Sequence, residues 1–456
     1  MAHTHLNLRN YSSFATVIFA VGMISAGFGA LDLIMIAPKG LDAVAAIAQG
    51  DVLVTAVYAL LLGVVDVFAS RLAIAEGGGA TSRRLPVLLA SLLLLLVPLQ
   101  LLGVAISKGT TPALTLFHQN AHLIPLASDY VSVRMYAVVS VLLYVSANEA
   151  LKICGMKNLS VVALLLGFAV NALLDWMFLY TATQTAFASP TQAVGAATVA
   201  AQTLMALFGG VILARQLRSR SERPQLPRWA EVAAEAASMA RTSLAVGVRH
   251  LNDYVGTVVP LLFIGTMGIQ VTAAAGIATK VYTLFCRIPQ ACFGGTFAFY
   301  SYGLGDPGTD LAATARRLHR YAALPTAAAT LVSVATSPWI VQSFATPGLD
   351  TGLARAFFLA YLLYLPFYFF EQQYGEILTA HQQGGQLLTA STAVTYLLTI
   401  PVAGLAVFGL HSAFWAIASK GLGAAVLAAL FRRAVRRQWT APNRKPAFAV
   451  TEVPLA

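Results

Sequence analysis

Asp32, Asn171 and Asp175 are the residues whose types and positions best suit proton chemistry. Each lies in a long apolar run, where a charged side chain costs at least about 2.5–3.5 kcal/mol and therefore indicates a function. Asn171 precedes Asp175 by four residues, so the two share one face of a helix. Because two neighbouring carboxylates in a low-dielectric medium resist double ionisation, one of them can hold a proton near neutral pH. Tyr136 is predicted at a comparable depth and joins this predicted site for ion or proton coupling.

The same carboxylates also have a purely structural interpretation. Asp32 would cap its helix near the outer surface of the membrane, and Asp175 would pair with a basic residue such as Arg134. In that case neither carboxylate would be free to carry a proton, so both interpretations stay open on the sequence alone.

Asp253, Lys280 and Glu371 form a second candidate site, for an ion or a substrate, in the second half of the sequence. Depth along the apolar runs places Asp253 and Lys280 at nearly the same height, which would allow an ion pair. Arg249 lies four residues before Asp253 and is the alternative partner. Since a paired carboxylate is less available for coupling, the sequence leaves open whether Asp253 binds an ion or is a neutralised pair.

Further charges lie at membrane depth at Asp66, Arg71 and Arg287. A cavity lined by Arg71, Lys280 and Arg287 would favour an anionic or zwitterionic solute. The simpler expectation is that Arg71 and Arg287 extend their charged ends towards the membrane surface or pair with Asp66.

Composition determines which elements must position these residues. The chain has 456 residues, of which 58% are hydrophobic and only 10% charged, and its mean hydropathy is +0.73. Such a composition excludes a soluble α/β enzyme. Apolar runs of about twenty residues recur along the chain, each long enough to cross a ~30 Å hydrocarbon core as a helix. We therefore predict an all-α polytopic membrane protein with twelve transmembrane helices. Their expected ranges are 13–36, 50–74, 85–106, 129–151, 158–182, 190–214, 243–266, 271–302, 320–343, 351–379, 385–409 and 411–431.

Lysine and arginine residues are concentrated in alternate loops. They cluster after the second, fourth, sixth and eighth predicted spans and in the C-terminal tail, whereas the opposite loops contain few. The positive-inside rule then predicts a multi-pass protein of the cell inner (plasma) membrane with both termini in the cytoplasm. Because the basic residues follow this pattern, the net charge of +11 does not indicate nucleic-acid binding.

The two halves of the sequence echo each other. GLDAVAAIA (40–48) is similar to GIQVTAAAGIA (268–278), and EALKICGMKNLSVVALLL (149–166) is similar to EILTAHQQGGQLLTAS (376–391). Two six-span repeats are a common plan for secondary transporters. We therefore predict two pseudo-symmetric six-helix lobes around a central cavity. The predicted domain ranges are 1–214 for the N-terminal lobe, 215–242 for a basic cytoplasmic linker, 243–431 for the C-terminal lobe and 432–456 for a cytoplasmic tail.

Several short motifs resemble those of one transporter family. They are ALDLIMIAPKGLDAVAAIA in span one, AIAEGGGA after span two, EALKICGMKN and NALLD in spans four and five, YGLGD after span eight, and GLHSAFWAIASKGL at the start of span twelve. In this order they resemble the multidrug and toxic compound extrusion (MATE) family of the multidrug/oligosaccharidyl-lipid/polysaccharide (MOP) exporter superfamily. The resemblance implies a cation or proton site at Asp32, Asn171 and Asp175, and it matches Asp253 to the family's acid on span seven.

The sequence departs from that family at two positions of the second half. Gly276 occupies a position where the family often has glutamine. The acid that some members use on span ten falls near Phe367, and the nearest acid here is Glu371. These departures make a proton the expected coupling ion in preference to sodium.

The resulting expectation is a secondary active antiporter that exports a small organic solute, such as a drug, a toxin or a peptide-like or metallophore-like natural product, by alternating access. The alternative is a flippase for a lipid-linked oligosaccharide, in which buried basic residues would bind the headgroup of the lipid.

No nucleotide-binding or hydrolase motif occurs, so we expect neither an enzyme nor a cofactor nor a metal site. Cys154, Cys286 and Cys292 are expected to fill the core. The expected partners are the solute, the coupling ion and the lipid bilayer, with the protein as a monomer.

Overall fold

A computed structural model describes residues 3–116, 121–220, 227–343 and 350–440. These ranges are almost entirely helical and contain no strand. The α-helices are α1 (Leu8–Ile36), α2 (Leu41–Leu61), α3 (Gly63–Gly77), α4 (Thr81–Leu116), α5 (Ile124–Tyr136), α6 (Val138–Ile153), α7 (Lys157–Tyr180), α8 (Pro190–Arg220), α9 (Trp229–Gly265), α10 (Ile269–Gly305), α11 (Leu311–Ser343), α12 (Thr351–Ala380), α13 (Gly384–Val394), α14 (Ile400–Gly404) and α15 (Ala413–Thr440).

The helices account for all twelve predicted membrane spans. In the described part of the chain, nine helical segments are long and apolar enough to cross a membrane. The pair α5 and α6, bent by 55° at Ala137, makes a tenth. The remaining two are α9 and α10, each 37 residues long but interrupted by charged and polar side chains. The prediction of an all-α, twelve-helix membrane protein is therefore confirmed.

Large apolar side chains on the outer faces of the helices are exposed to the surroundings. Leu324 and Leu397, for example, are 77% and 78% exposed. In water this surface would be unfavourable, but in a bilayer it contacts lipid chains of similar polarity. Apolar side chains therefore lie both on the exposed helix surfaces and in the core.

Two pairs of turns have the same backbone conformation in the two halves of the sequence. Gly40 precedes α2 with φ 119°, and Gly268 precedes α10 with φ 113°. Gly155 follows α6 with φ 83°, and Gln382 follows α12 with φ 56°. A positive φ value favours glycine. Each pair of similar segments in the two halves therefore contains a residue with a positive φ value at a corresponding turn. The similarity between the halves therefore has a conformational basis.

The described chain divides into two compact units. One of them, here called the first unit, contains Thr16–Leu72 and Ala80–Leu251. The second unit contains Met1–Ala15, Ala73–Gly79 and Asn252–Ala456. In the first unit α8 packs against α6 and α7, and in the second unit α12 packs against α10 and α15. Each candidate site described below lies within one unit.

The segment predicted as a cytoplasmic linker, 215–242, is largely helical. Helix α8 continues to Arg220, and α9 already begins at Trp229 and runs without interruption to Gly265. Helix α9 therefore includes the end of the predicted linker and the predicted seventh span in one element. Residues 221–226 of the linker and 441–456 of the tail lie outside the described residues.

Candidate ion-coupling site

A single amide bridges two buried carboxylates in the first unit. The Nδ2 atom of Asn171 donates to Asp32 Oδ1 and to Asp175 Oδ2, each at 2.9 Å. Asp32 lies near the end of α1, whereas Asn171 and Asp175 lie one turn apart on α7. Asp32 is 3% exposed and the other two are fully buried. The structure thus brings together the three residues that the sequence grouped.

Thr198 of α8 completes the environment of Asp32. Its hydroxyl donates to Asp32 Oδ2 at 3.0 Å, so both oxygens of this carboxylate accept a hydrogen bond. Asp175 differs, because its Oδ1 atom is buried and has no hydrogen-bond partner within the described residues. An ionised carboxylate with an unsatisfied buried oxygen is unfavourable, and a proton on that oxygen removes the charge. The geometry therefore suits one shared proton.

Arg134 of α5 lies near this carboxylate pair but does not form a salt bridge with either member within the described chain. Its guanidinium carbon is 5.8 Å from the ring centroid of Tyr58 and 5.9 Å from that of Tyr130. The hydroxyl of Tyr58 donates to the backbone carbonyl of Arg134 at 2.7 Å. The predicted structural alternative, an ion pair between Asp175 and Arg134, is not formed.

Tyr136 is not brought to the carboxylate pair. It is the last residue of α5, is 48% exposed, and lies beside Ser107 and Lys108. Within the described residues, the donors to the two carboxylates are instead Asn171 and Thr198. Sequence reasoning missed Thr198 because threonine is common in membrane helices, where its hydroxyl usually bonds to the carbonyl four residues earlier. The Thr198 hydroxyl also lies 3.1 Å from the Val194 carbonyl oxygen, so its single hydrogen is shared between that carbonyl and Asp32.

The second-unit carboxylate has a different partner from those predicted. Asp253 of α9 forms a salt bridge with Lys420 of α15, with Oδ1 and Nζ 3.0 Å apart. Lys420 also donates to the hydroxyl of Thr257 and lies 5.7 Å from the ring centroid of Tyr368. Asp253 is therefore paired with Lys420 and not with Lys280. A lone lysine in the apolar run of span twelve was the signal that could have indicated it.

Lys280 and Glu371 occupy separate positions around this pair. Lys280 is exposed and makes no salt bridge with Asp253 in the described structure. Glu371 is 5% exposed and accepts a hydrogen bond from Gln372 at 3.4 Å. Tyr368 is an electrostatic neighbour of both Asp253 and Glu371. The structure thus keeps Asp253 and Glu371 in one region, around Tyr368.

The other charges at membrane depth are mostly paired within the protein. Arg71 forms a buried salt bridge with Glu235 at 2.7 Å, not with Asp66 as expected. Asp66 lies 2.5 Å from His250, and Arg287 donates to Gln290 at 3.2 Å. Because Arg71 is neutralised by Glu235, it is not available to attract an anionic solute.

Solved structures share this arrangement of helices over almost the whole chain. A MATE crystal structure in complex with MaL6 matches with a TM-score of 0.77 and 17% identity, covering 96% of this chain and 97% of that chain. The chain has the MATE fold. The resemblance seen in the sequence motifs is thereby confirmed at the level of the fold. No family sequence model matches the chain, and no curated protein sequence does.

Two further structures with the MATE fold extend the comparison. A eukaryotic MATE transporter matches with a TM-score of 0.76 and 14% identity, covering 95% of this chain and 96% of that chain. A MOP superfamily transporter from Pyrococcus furiosus, described as having a binding pocket of reverse polarity that suggests a different function, matches with a TM-score of 0.72 and 17% identity. It covers 96% of this chain and 97% of that chain.

Proposed function

We propose that this chain is a secondary active antiporter that exports a small organic solute in exchange for protons bound at Asp32 and Asp175. Transport as such is supported by a multi-pass membrane fold that it shares with MATE and MOP transporters. Proton coupling is supported by one observation above all. The Asn171 amide holds two buried carboxylates 2.9 Å from the same nitrogen, and no described lysine or arginine forms a salt bridge with either.

The chemistry of coupling follows from that geometry. When the site is open to the outside, a proton binds to Asp175 Oδ1, the oxygen that otherwise has no partner. The protonated pair carries one charge fewer, so the cost of burying it decreases. When the site opens to the inside, water solvates the carboxylates and the proton leaves. A transporter that alternates between these states uses the proton gradient to drive the solute in the opposite direction.

The central experiment replaces each carboxylate by its neutral isostere. Asp32→Asn and Asp175→Asn should each abolish pH-driven transport by the full-length protein in liposomes, because neither variant can exchange a proton at the altered position. Transport would be read from the collapse of an imposed pH gradient when a solute is added, for example the lipophilic cation ethidium or an amphipathic zwitterion or anion.

Asp42→Asn is the matched control for these variants. Asp42 is also an aspartate of the first unit, but it is largely exposed and lies 3.0 Å from His122. This variant should retain transport. Normal pH-driven transport by both Asp32→Asn and Asp175→Asn would disprove the assignment of the coupling site, whatever the solute.

The solute class is best approached through binding. A cavity lined by Arg71, Lys280 and Arg287 would favour an anionic or zwitterionic solute, although the sequence favoured other positions for Arg71 and Arg287. The salt bridge between Arg71 and Glu235 removes one of these charges and with it part of the argument for a lipid-linked sugar. Thermal stabilisation of the purified protein by matched cationic, zwitterionic and anionic compounds would identify the class. Stabilisation by a lipid pyrophosphate alone would favour the flippase instead.

The proposed location is the cell inner (plasma) membrane, with both termini in the cytoplasm and the protein as a monomer. The exposed arginines at the end of α15, which are Arg432, Arg433, Arg436 and Arg437, support this orientation. A fluorescent protein fused to the C-terminus should fluoresce, whereas a C-terminal alkaline phosphatase should be inactive. The opposite result would reverse the orientation.

A further inference from the structure

The carboxylate site of the first unit contains more acids than bases. Asp32 of α1 and Asp175 of α7 are joined through Asn171, and Asp51 of α2 is a third acid in the same region. The cation that acts on Asp32 is Arg134 of α5. Lys39, which follows α1, is held 4.7 Å from the ring centroid of Tyr180 and is not among the charged neighbours of Asp32. Arg134 is therefore the resident positive charge of this site.

The position of Arg134 is fixed without a direct acid partner. Two tyrosine rings, Tyr58 of α2 and Tyr130 of α5, flank its guanidinium at nearly equal distances. Both rings are buried, at 8% and 3% exposure. Such cation–π contacts stabilise a guanidinium where water is scarce. Its Nε atom is buried and lacks a hydrogen-bond partner in the described part of the chain. The charge is thus held near Asp32 and Asp51 but committed to neither.

A site made only of buried acids would bind a proton too well to function. Burial and the charge of the neighbouring carboxylate both oppose ionisation, so the second proton would not be released near neutral pH. A fixed positive charge nearby has the opposite effect, because it stabilises the ionised carboxylate. A salt bridge, by contrast, would hold the carboxylate permanently ionised. A cation that is near but not in contact provides an intermediate effect.

We propose that Arg134 is the positioning residue that allows the Asp32–Asp175 pair to release its proton and that keeps sodium from replacing it. This inference rests on the proton-coupled function proposed above and deepens it. Tyr58 and Tyr130 hold the guanidinium, and Asp51 moderates its effect on Asp32. The remaining polar groups that face the pair are Asn171 and Thr198, both of which donate hydrogen bonds to it.

The exclusion of sodium follows from the same charge. A proton and a sodium ion both add one positive charge to the pair, so Arg134 weakens the binding of both by a similar factor. Burial gives the carboxylates a high affinity for protons to begin with, so proton binding survives this weakening. Sodium binds the carboxylate pair more weakly than a proton does, and Arg134 removes its remaining affinity. Removing Arg134 should therefore strengthen proton binding and permit sodium binding.

The test measures protonation directly, without a solute or a gradient. The full-length protein in lipid nanodiscs would be titrated by infrared spectroscopy, following the carboxylic-acid band that disappears in Asp32→Asn and Asp175→Asn. In choline buffer, Arg134→Gln should move the midpoint of this band to higher pH by about one unit, a tenfold change in proton affinity. In sodium buffer the Arg134→Gln midpoint should move back towards lower pH, whereas the wild-type midpoint should be the same in both buffers.

Three further variants separate charge from structure. Arg134→Lys keeps the charge and should stay near the wild-type midpoint. Asp51→Asn should shift the midpoint to lower pH, because it removes an acid that competes for Arg134. Opposite shifts from neighbouring residues cannot both result from a loosened fold, and Asp51→Asn alone tests the proposal if Arg134→Gln does not fold. Arg287→Gln, which removes an arginine of the second unit, should have no effect.

The outcomes distinguish this proposal from the proposed function. An unchanged midpoint in Arg134→Gln, or in Asp51→Asn, would overturn the role of Arg134 and leave the coupling site intact. A sodium-independent midpoint in Arg134→Gln would overturn the exclusion of sodium. A wild-type protein with no band that depends on Asp32 or Asp175 would overturn proton coupling itself, and the role of Arg134 with it.

Discussion

The two units contain similar components at their carboxylate sites and use them differently. In each, an aspartate lies on the first long helix of its half of the sequence, at Asp32 on α1 and at Asp253 on α9. In each, a residue of the last helix of that half contacts the aspartate. That residue is Thr198 on α8 in the first unit and Lys420 on α15 in the second. A hydroxyl leaves the carboxylate free to exchange a proton, whereas a lysine neutralises it.

On this proposal, an acid on a long apolar helix is not by itself a coupling site. Asp253 and Lys420 balance each other's charge, and their side chains are 35% and 15% exposed. Asp32 and Asp175 have hydrogen-bond donors but no salt bridge within the described chain. We therefore propose coupling in the first unit and a structural or solute-binding role for the second. The predictions below test this division, starting with the largest effect.

Introducing the second unit's arrangement into the first should abolish coupling. Thr198→Lys places an ammonium beside Asp32, which would then stay ionised as part of a salt bridge. We expect pH-driven transport to fall to the level of liposomes without protein. Thr198→Met adds similar bulk without charge and is the control. If Thr198→Lys transports normally while remaining folded, the proposed difference between the units is wrong.

Breaking the buried Arg71–Glu235 salt bridge should affect stability and leave coupling unchanged. Glu235→Gln leaves an arginine that is 4% exposed without its acid, and loss of one partner of a buried pair typically costs about 3–5 kcal/mol. Arg84 also contacts Glu235, at 3.0 Å, so the loss affects two arginines. Thermal unfolding would show the loss, and the pH dependence of transport should be unchanged. An altered pH profile would mean that Glu235 takes part in coupling.

Breaking the Asp253–Lys420 pair should cost less, because Asp253 is partly exposed. Lys420→Met removes the ammonium that contacts Asp253, and we expect a loss of about 1–3 kcal/mol in the free energy of unfolding. The double variant Asp253→Asn/Lys420→Met removes both charges and should recover most of that stability. Thermal unfolding of the wild type, both single variants and the double variant measures the coupling between the two residues. Additive losses would contradict a direct pair.

Removing one hydrogen bond from Asp32 should have the smallest effect. Thr198→Val deletes the hydroxyl that donates to Oδ2 and stabilises the ionised form. Loss of such a bond costs about 1 kcal/mol, so the pH midpoint of transport should rise by less than about one unit. The sign is upward because the ionised form is the one that loses stabilisation. A downward shift would indicate that Thr198 acts as an acceptor from a protonated Asp32.

Sequence reasoning predicted the depth of residues along the helices well, but it predicted poorly which neighbouring helix each side chain faces. The length of apolar runs determined how deep Asp32 and Asp175 lie, and the four-residue spacing from Asn171 determined their common face. Depth alone also suggested Lys280 for Asp253, but the partner is Lys420, since two residues at one height meet only if their helices face each other. Helix packing decides that direction, and a single sequence does not contain it. The same reason explains why Asp66 contacts His250 and not Arg71.

The continuity of α9 has a practical consequence for dividing the protein into fragments. The helix runs from Trp229 to Gly265 without a break, but its residues up to Leu251 belong to the first unit and those from Asn252 to the second. A cut between Arg220 and Trp229 would therefore leave the second fragment with part of the first unit, including Glu235, whose partner Arg71 would lie in the first fragment. Each fragment alone would expose a surface that the other normally covers. Two co-expressed halves should consequently reassemble, because α9 of the second fragment completes the first unit. Neither half should accumulate when it is produced alone.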